Sequence, residues 1–268
     1  MSALLGHAVW TGEPTSGRVV LQLDDGFGDC FMYARWIETV RERVGHLVLR
    51  TGAPLREFLL AQFTAAEVIG IEQDPGDFEC WTSTTRLPPL FGVRRPDDVA
   101  CGPYLRATEP FRPLDGGFKI GLRWAGDPTH DQDDLRSIDL SAWEGILGLP
   151  GVTYYSLQLG SGAEQLSPFA DRIHDLGPEL TSWSRTAAAL VELDLIITVD
   201  TSVAHLAGAL GRPVWICLAA APEWRWMLDR LDTPWYGSAR LFRQPRAGDW
   251  ASVFAKIAAE LEEVVKSR

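Results

Sequence analysis

The stretch "LDLIITVDTSVAHLAGALGRPVWICL", residues 193–218, decides how the chain is read. An apolar run stops at Asp200, Thr201 and Ser202. His205 follows, then a segment of small residues, then a second apolar run. Strand, helix and strand in that order make a βαβ unit, the building block of a parallel sheet. Ala204, Ala207, Gly208 and Ala209 keep the helix slim enough to pack on the sheet; Gly211 ends it and Pro213 prevents its continuation. In open α/β sheets, ligands sit beyond the carboxyl ends of the strands. Asp200, Thr201 and Ser202 lie at such an end. Thr201 or Ser202 is expected to cap the helix. The unpaired first-turn amides, together with the helix dipole, form an anion site suited to phosphate. His205 falls in the first turn, where the positive helix end disfavours its protonation. A neutral imidazole can donate one hydrogen bond to a diphosphate or pack on a ribose or base. The same residues also fit a plainer role, in which the hydroxyls only cap and His205 is a satisfied core residue.

The pattern extends in both directions. "GRVVLQLDD" (17–25) reads as a buried strand. In "GFGDCFMYARWIETVRERVG", Phe31, Ala34, Ile37, Val40 and Val44 recur at helical spacing, with Gly45 at the helix C-terminus. "HLVLR" (46–50) is a strand, "PLREFLLAQF" (54–63) a helix with Pro in its first turn, and "EVIGI" (67–71) a short strand. Residues 75–113 resist any clean period, and a linker is placed at about 107–117. The pattern then restarts. Strands are expected over 118–126 and 152–160, a helix beginning near Ser141, and a helix over 184–193. After residue 218 come a Trp-rich segment and an amphipathic helix over 249–266, with Val253, Ile257, Leu261 and Val264 on one stripe. The expected fold is α/β, with two facing Rossmann-like domains at 1–113 and 114–268, parallel sheets and an interdomain cleft.

The 268 residues, 46% of them hydrophobic, suffice for one large domain or two small ones. The net charge of −11 argues against nucleic acid or an anionic membrane surface as partner, while leaving room for a local cationic pocket. Cys30, Cys80, Cys101 and Cys217 lack metal-ligand spacing and read as free thiols of a reducing compartment. No apolar run approaches the roughly 20 residues of a membrane span. The first residues lack the pattern of a signal peptide, so a cytoplasmic location is expected.

Several stretches together resemble the heptosyltransferase-like, family 9-type GT-B glycosyltransferases. They are "DLIITVDTSVAHLAGALGRPVW", "GRVVLQLDDGFGDCFMYARW", "IGLRWAGDPTHDQDDLRSIDL", "YYSLQLG", "DLGPEL" and "PEWRWMLDRLDTPWYGSARLFRQPRAGDW". The similarity is nearest to glycosyltransferase regions that follow tetratricopeptide repeats in bacterial proteins. The resemblance implies a GT-B fold, with donor bound mainly by the C-terminal domain and acceptor by the N-terminal one. It implies sugar transfer from a nucleotide-diphosphate donor to a hydroxyl acceptor, a saccharide or a protein, with inversion and without a metal or other cofactor. The family's "SLQKG" reads here as Ser156-Leu157-Gln158-Leu159-Gly160, so Leu159 replaces a Lys expected to face phosphate.

The roles follow from this resemblance. Asp29, after the Gly26 and Gly28 of "GFGD", is the expected base for the acceptor hydroxyl. The alternative is a helix N-terminal Asp that complements the dipole. Asp24 and Asp25 are second choices for the base. Arg136 is expected to bind diphosphate oxygens, with a surface salt bridge to Asp133 or Asp134 as the alternative. Arg123 could assist, but a structural pair is the preferred reading. Gln158 is expected to read a base edge or a phosphate, and Asp200 to accept from a ribose or sugar hydroxyl; either could instead orient its own loop. His130, Asp131, Asp133 and Asp134 lack the calcium-loop pattern, so no metal is expected. Trp224, Trp226, Trp235 and Tyr236 could offer a sugar platform, but some of them are expected to pack into the core or against the terminal helix. Two other functions are weighed: an isomerase of the nucleotide-sugar 2-epimerase type, whose motifs are absent, and a GT-B-like module that binds a nucleotide or partner without turnover.

Overall fold

The computed structural model describes Leu4, residues 6–23 and residues 26–267. Asp24 and Asp25, named above as alternative bases, lie outside the described residues. Two parallel sheets form the frame. The first is built from β1 (Ala8–Val9), β2 (Thr15–Leu23), β3 (Val44–Thr51), β4 (Glu67–Gly70) and β5 (Cys80–Ser83), in the order β1-β5-β2-β3-β4. Between β2 and β3 run α1 (Phe27–Tyr33) and α2 (Ile37–Arg41); α3 (Ala53–Gln62) follows β3, and α4 (Leu87–Leu90) follows β5.

The second sheet comprises β6 (Phe118–Arg123), β7 (Val152–Ser156), β8 (Ile173–Asp175), β9 (Leu195–Val199), β10 (Val214–Leu218) and β11 (Ala239–Arg243). Its order is β11-β10-β9-β6-β7-β8. The chain reverses direction across the sheet beside β6, and ligand crevices form at such a switch point. Its helices are α5 (Asp133–Arg136), α6 (Trp183–Val191), α7 (Ser202–Ala209) and α8 (Trp250–Lys266).

Several expectations need correction. The helix expected up to Gly45 breaks into α1, a 3-10 turn at Ala34–Trp36, and α2. Gly45 caps no helix. It lies within β3, where a Cβ would fall on the Ser16 carbonyl oxygen of β2, so a close backbone approach requires the glycine. The helix expected near Ser141 is a 3-10 segment, Leu140–Ile146, with the Asp139 carboxylate accepting from Ser141 N–H at 2.9 Å. Four strands had no clear sequence signal: β1, β5, β8 and β11. They have two to five residues each and draw their stability from parallel pairing with their neighbours.

No regular element is described between Val99 and Gly117, where the linker was expected. This connector is nonetheless tied down. Arg35, just after α1, donates to the Ala100 carbonyl at 3.0 Å, the Tyr104 hydroxyl at 3.1 Å and the Trp235 carbonyl at 2.8 Å. Tyr104 and Leu105 N–H both donate to the Ala209 carbonyl at the end of α7. One continuous apolar cluster joins the inner faces, from Phe31 and Leu49 through Leu105 to Ala188 and Leu206. Trp226, Trp235 and Tyr236 belong to it, as expected for a core role, whereas Trp224 is 58% exposed. Of the four cysteines, Cys101 is exposed and Cys30, Cys80 and Cys217 are buried. No helix among the described residues is long and apolar enough to cross a membrane.

Candidate functional site

A cleft of about 860 Å³ opens between the carboxyl ends of the two sheets. From the first half it takes Gly26, Phe27, Gly28 and Asp29, the turn that enters α1. From the second half it takes the loop after β6, including Arg136; the residues Asp200, Thr201, Ser202 and His205; and the segment through Glu223 and Arg225. Every expected site residue reaches this cleft except Gln158.

Gln158 is 2% exposed and serves the loop itself. Its Oε1 accepts from Trp124 N–H at 3.2 Å and Ala125 N–H at 3.0 Å, and its Nε2 donates to the Ser161 carbonyl at 2.6 Å. A ligand-reading role for Gln158 is therefore corrected to a loop-orienting one: its amide is already spent on backbone.

Thr201 occupies the N-cap position of α7, but its side chain does not cap the helix. Its hydroxyl lies 3.1 Å from Thr198 Oγ1 instead. The expected cap is thus absent; Ala204 N–H donates to the Thr201 carbonyl at 3.0 Å, while the Ser202 and Val203 amides have no hydrogen-bond acceptor among the described residues. His205 is buried, with Nδ1 2.8 Å from the Tyr236 hydroxyl and Nε2 3.9 Å from Asp200 Oδ1. Burial, with the Arg35 and Arg136 charges adding, pushes the imidazole down to about 3. It is neutral as expected, but desolvation rather than the helix dipole is the chief cause. Burial also pushes the Asp200 carboxyl above the usual range. The glycines fit these packings: a Cβ on Gly208 would enter the Tyr236 ring, and one on Gly28 would meet His205.

Arg136 does pair with Asp133, Nε to Oδ1 at 3.0 Å, yet it still lines the cleft. Arg123, read from the sequence as a structural pair, also lines the cleft. Its Nη1 donates to the Leu157 carbonyl at 2.9 Å, while its buried Nε has no hydrogen-bond partner among the described residues. Burial first, then the charge of Arg136, lowers its guanidinium to about 10, only partly offset by Asp133. Two mutually repelling guanidiniums at the open end of a helix form a site that an anion stabilises.

Asp29 is ion-paired to Arg225, and Arg225 Nη1 also contacts Glu223 Oε1 at 2.7 Å. Glu223 and Arg225 are cleft residues that the sequence analysis did not assign; they sit inside "PEWRW", where the aromatic residues drew attention. An apolar ledge completes the walls: Phe27, 40% exposed, stands edge-on to Trp183 at 5.1 Å, and Leu159 is 38% exposed. Among the described residues no group of three or more His, Cys, Asp or Glu side chains is placed to hold a metal.

Known structures share this fold. A family 9 glycosyl transferase from Veillonella parvula superposes with a TM-score of 0.66, covering 96% of this chain and 99% of that one at 11% identity. The heptosyltransferase WaaC of E. coli, solved with ADP-2-deoxy-2-fluoro heptose, gives 0.64 over 91% and 99% of the two chains at 13% identity. The ADP-heptose LPS heptosyltransferase II of E. coli gives 0.61 over 93% and 99%, also at 13% identity. The chain has the GT-B fold. The cleft between its sheets is thus the cleft of a GT-B protein. No family model matches the sequence. Among curated proteins it is 26% identical to Protein FlbA of Caulobacter vibrioides in an alignment of 300 positions that takes in 96% of this chain. The match covers 48% of FlbA, so this GT-B chain spans about half the length of that relative.

Proposed function

We propose that this protein is a glycosyltransferase that moves a sugar from a nucleotide-diphosphate donor to a hydroxyl acceptor, with inversion and without a metal. The observation that carries the reading is the pairing of Arg123 and Arg136 with the uncapped start of α7 in one cleft. That combination suits a diphosphate, the leaving group of such a transfer. Arg123, Arg136 and the amides near Ser202 hold the diphosphate and stabilise the charge that builds on it. Asp200 accepts a hydrogen bond from a ribose or sugar hydroxyl, and neutral His205 supports that corner. Asp29 faces this site from the first half. The acceptor oxygen bonds to the anomeric carbon as the bond to the phosphate oxygen breaks. The electron pair of that bond leaves with the nucleoside diphosphate, and Asp29 takes the acceptor proton. The division at 113/114, a cytoplasmic location and a kinship with repeat-associated bacterial glycosyltransferases belong to this proposal. The acceptor is a saccharide or a protein.

A second reading is a nucleotide-binding module without turnover. It is favoured by Leu159, which puts an apolar side chain where the resembled family has Lys, and by the Arg225 pairing of Asp29. A thermal-shift panel of UDP, GDP, ADP, TDP and CMP with their sugar nucleotides tests both readings. A ligand at 100 times its Kd stabilises by about 2.7 kcal/mol. A responding sugar nucleotide that is also hydrolysed or transferred supports the enzyme. A responder that is never turned over supports the module, and silence across the panel removes the nucleotide site.

A further inference from the structure

Among the described residues, three large apolar side chains both line the cleft and stay exposed: Phe27 at 40%, Leu135 at 51% and Leu159 at 38%. They come from separate parts of the chain: the start of α1, α5 and the loop after β7. Each is held in place. The Phe27 ring stands 5.1 Å from Trp183, which in turn meets Phe31 at 4.8 Å. Leu135 lies in α5, whose Asp133 carboxylate accepts from Arg136 at 3.0 Å and from the Ser137 hydroxyl at 2.8 Å. The Gln158 amide donates to the Leu159 carbonyl at 3.3 Å and ties that loop to Trp124 and Ala125. Fixed apolar surface facing an open cleft costs hydrophobic free energy until a ligand covers it.

Their place in the cleft says what covers them. In a nucleotide-diphosphate donor the sugar is bonded to the diphosphate through its anomeric carbon and turns that carbon toward the base. It therefore spans from Arg136 to Asp29. Leu135 directly precedes Arg136, and Phe27 lies two residues before Asp29. We propose that Phe27, Leu135 and Leu159 select the donor sugar: it carries a methyl on its rim, as a 6-deoxy carbon or an N-acetyl group, instead of hydroxyls throughout. This rests on the glycosyl-transfer reading of the cleft. Asp200 takes a hydroxyl on the α7 side of the ring, and the methyl turns to the apolar walls. A hydroxyl in its place gives up water and gains no partner from a phenyl ring or a leucine side chain. One methyl or methylene group in an apolar pocket is worth roughly 10- to 200-fold in discrimination.

Isothermal titration calorimetry of the intact protein tests this. The donors are the glucose, 6-deoxyglucose and N-acetylglucosamine derivatives of UDP, GDP, ADP and TDP, so that within one nucleotide only the sugar rim differs. For the nucleotide that binds, a methyl-bearing sugar should bind at least about tenfold tighter than glucose. The 6-deoxy and N-acetyl arms show which substituent supplies the methyl. Leu135→Gln, at an exposed position, should abolish the preference while the nucleoside diphosphate alone binds as it does to wild type. Phe27→Ser should act in the same way, which keeps the test usable if one variant folds poorly.

Equal affinities within a set, or a preference for the glucose donor, overturn the proposal and leave the transfer reading intact. A preference that survives both variants does the same. If the variants weaken the nucleoside diphosphate as much as its sugars, the apolar walls hold the nucleoside instead, and the proposal fails. Absence of binding by every nucleotide and donor overturns the transfer reading, and the selection of the sugar with it.

Discussion

His205 rests against Gly28 across the base of the cleft: a Cβ added to Gly28 would lie 2.7 Å from His205 Cδ2. The turn of one half and the helix of the other therefore meet at a position that admits only hydrogen. The backbone of Gly28 is not in the left-handed region, so close approach alone is the reason. Gly28→Ala should destabilise the protein by about 1–3 kcal/mol through overpacking. Differential scanning calorimetry reads this as a lower Tm, by about 2–4 °C per kcal/mol. Gly26→Ala is the control: among the described residues its Cβ would come no nearer than 3.6 Å, to Asp29 Oδ2, and Tm should hold.

His205 also makes stability depend on pH. Its folded-state value is about 3, against an ordinary 6.5. The unfolded chain takes up the proton first, so this contribution is intact above 6.5 and is lost as pH falls toward 3. Between pH 7.5 and 5 the loss is about 2 kcal/mol. His205→Asn should remove that part of the dependence. The difference between the two proteins in urea unfolding at each pH isolates it from the other titrating groups.

If Arg123 binds the donor diphosphate, as proposed, its removal should separate stability from binding. Arg123→Met deletes a buried charge that repels Arg136. The ligand-free protein should be as stable as wild type or more so. The shift in Tm on adding ADP should shrink, reflecting at least a tenfold loss of affinity. Equal loss of stability with and without ADP would mean that Arg123 is only structural.

Gln158 should behave in the opposite way. Its amide bonds the backbone of Trp124, Ala125 and Ser161. Gln158→Ala leaves several buried groups unpaired and should cost about 2–4 kcal/mol in chemical unfolding. A variant of native stability with weak nucleotide binding would restore the ligand-contact role.

Most of the frame could be read from the residues. The apolar runs of β2, β3, β9 and β10 are long enough to declare buried strands, and the fold follows from their alternation with helical segments. Short edge strands such as β8 and β11 could not be read so easily, because their stability lies in a neighbour already in place. Within the site, Asp200, Thr201, Ser202 and His205 follow from a strand end and a helix start, whereas Asp29 and Arg136 follow from the family resemblance; the structure brings all six to one cleft. Gln158 was left between two roles because a strand-end amide reads the same whether it faces ligand or loop; its side chain bonds loop backbone. Glu223 and Arg225 were missed because a short 3-10 segment carries no period to mark a facing side.

The sequence by itself determined two runs of βα units, an anion-ready helix start at Ser202, and an acidic surface without long apolar spans. These depend on local spacing and on neighbours a few residues away. Only the tertiary structure decided that Arg225 joins Asp29 to Glu223, that Gly28 must admit His205, and that Gly45 must admit the backbone of β2. Asp29 and Arg225 are 196 positions apart. Nothing in either local pattern specifies the other; they meet because the two sheets present their carboxyl ends to the same cleft.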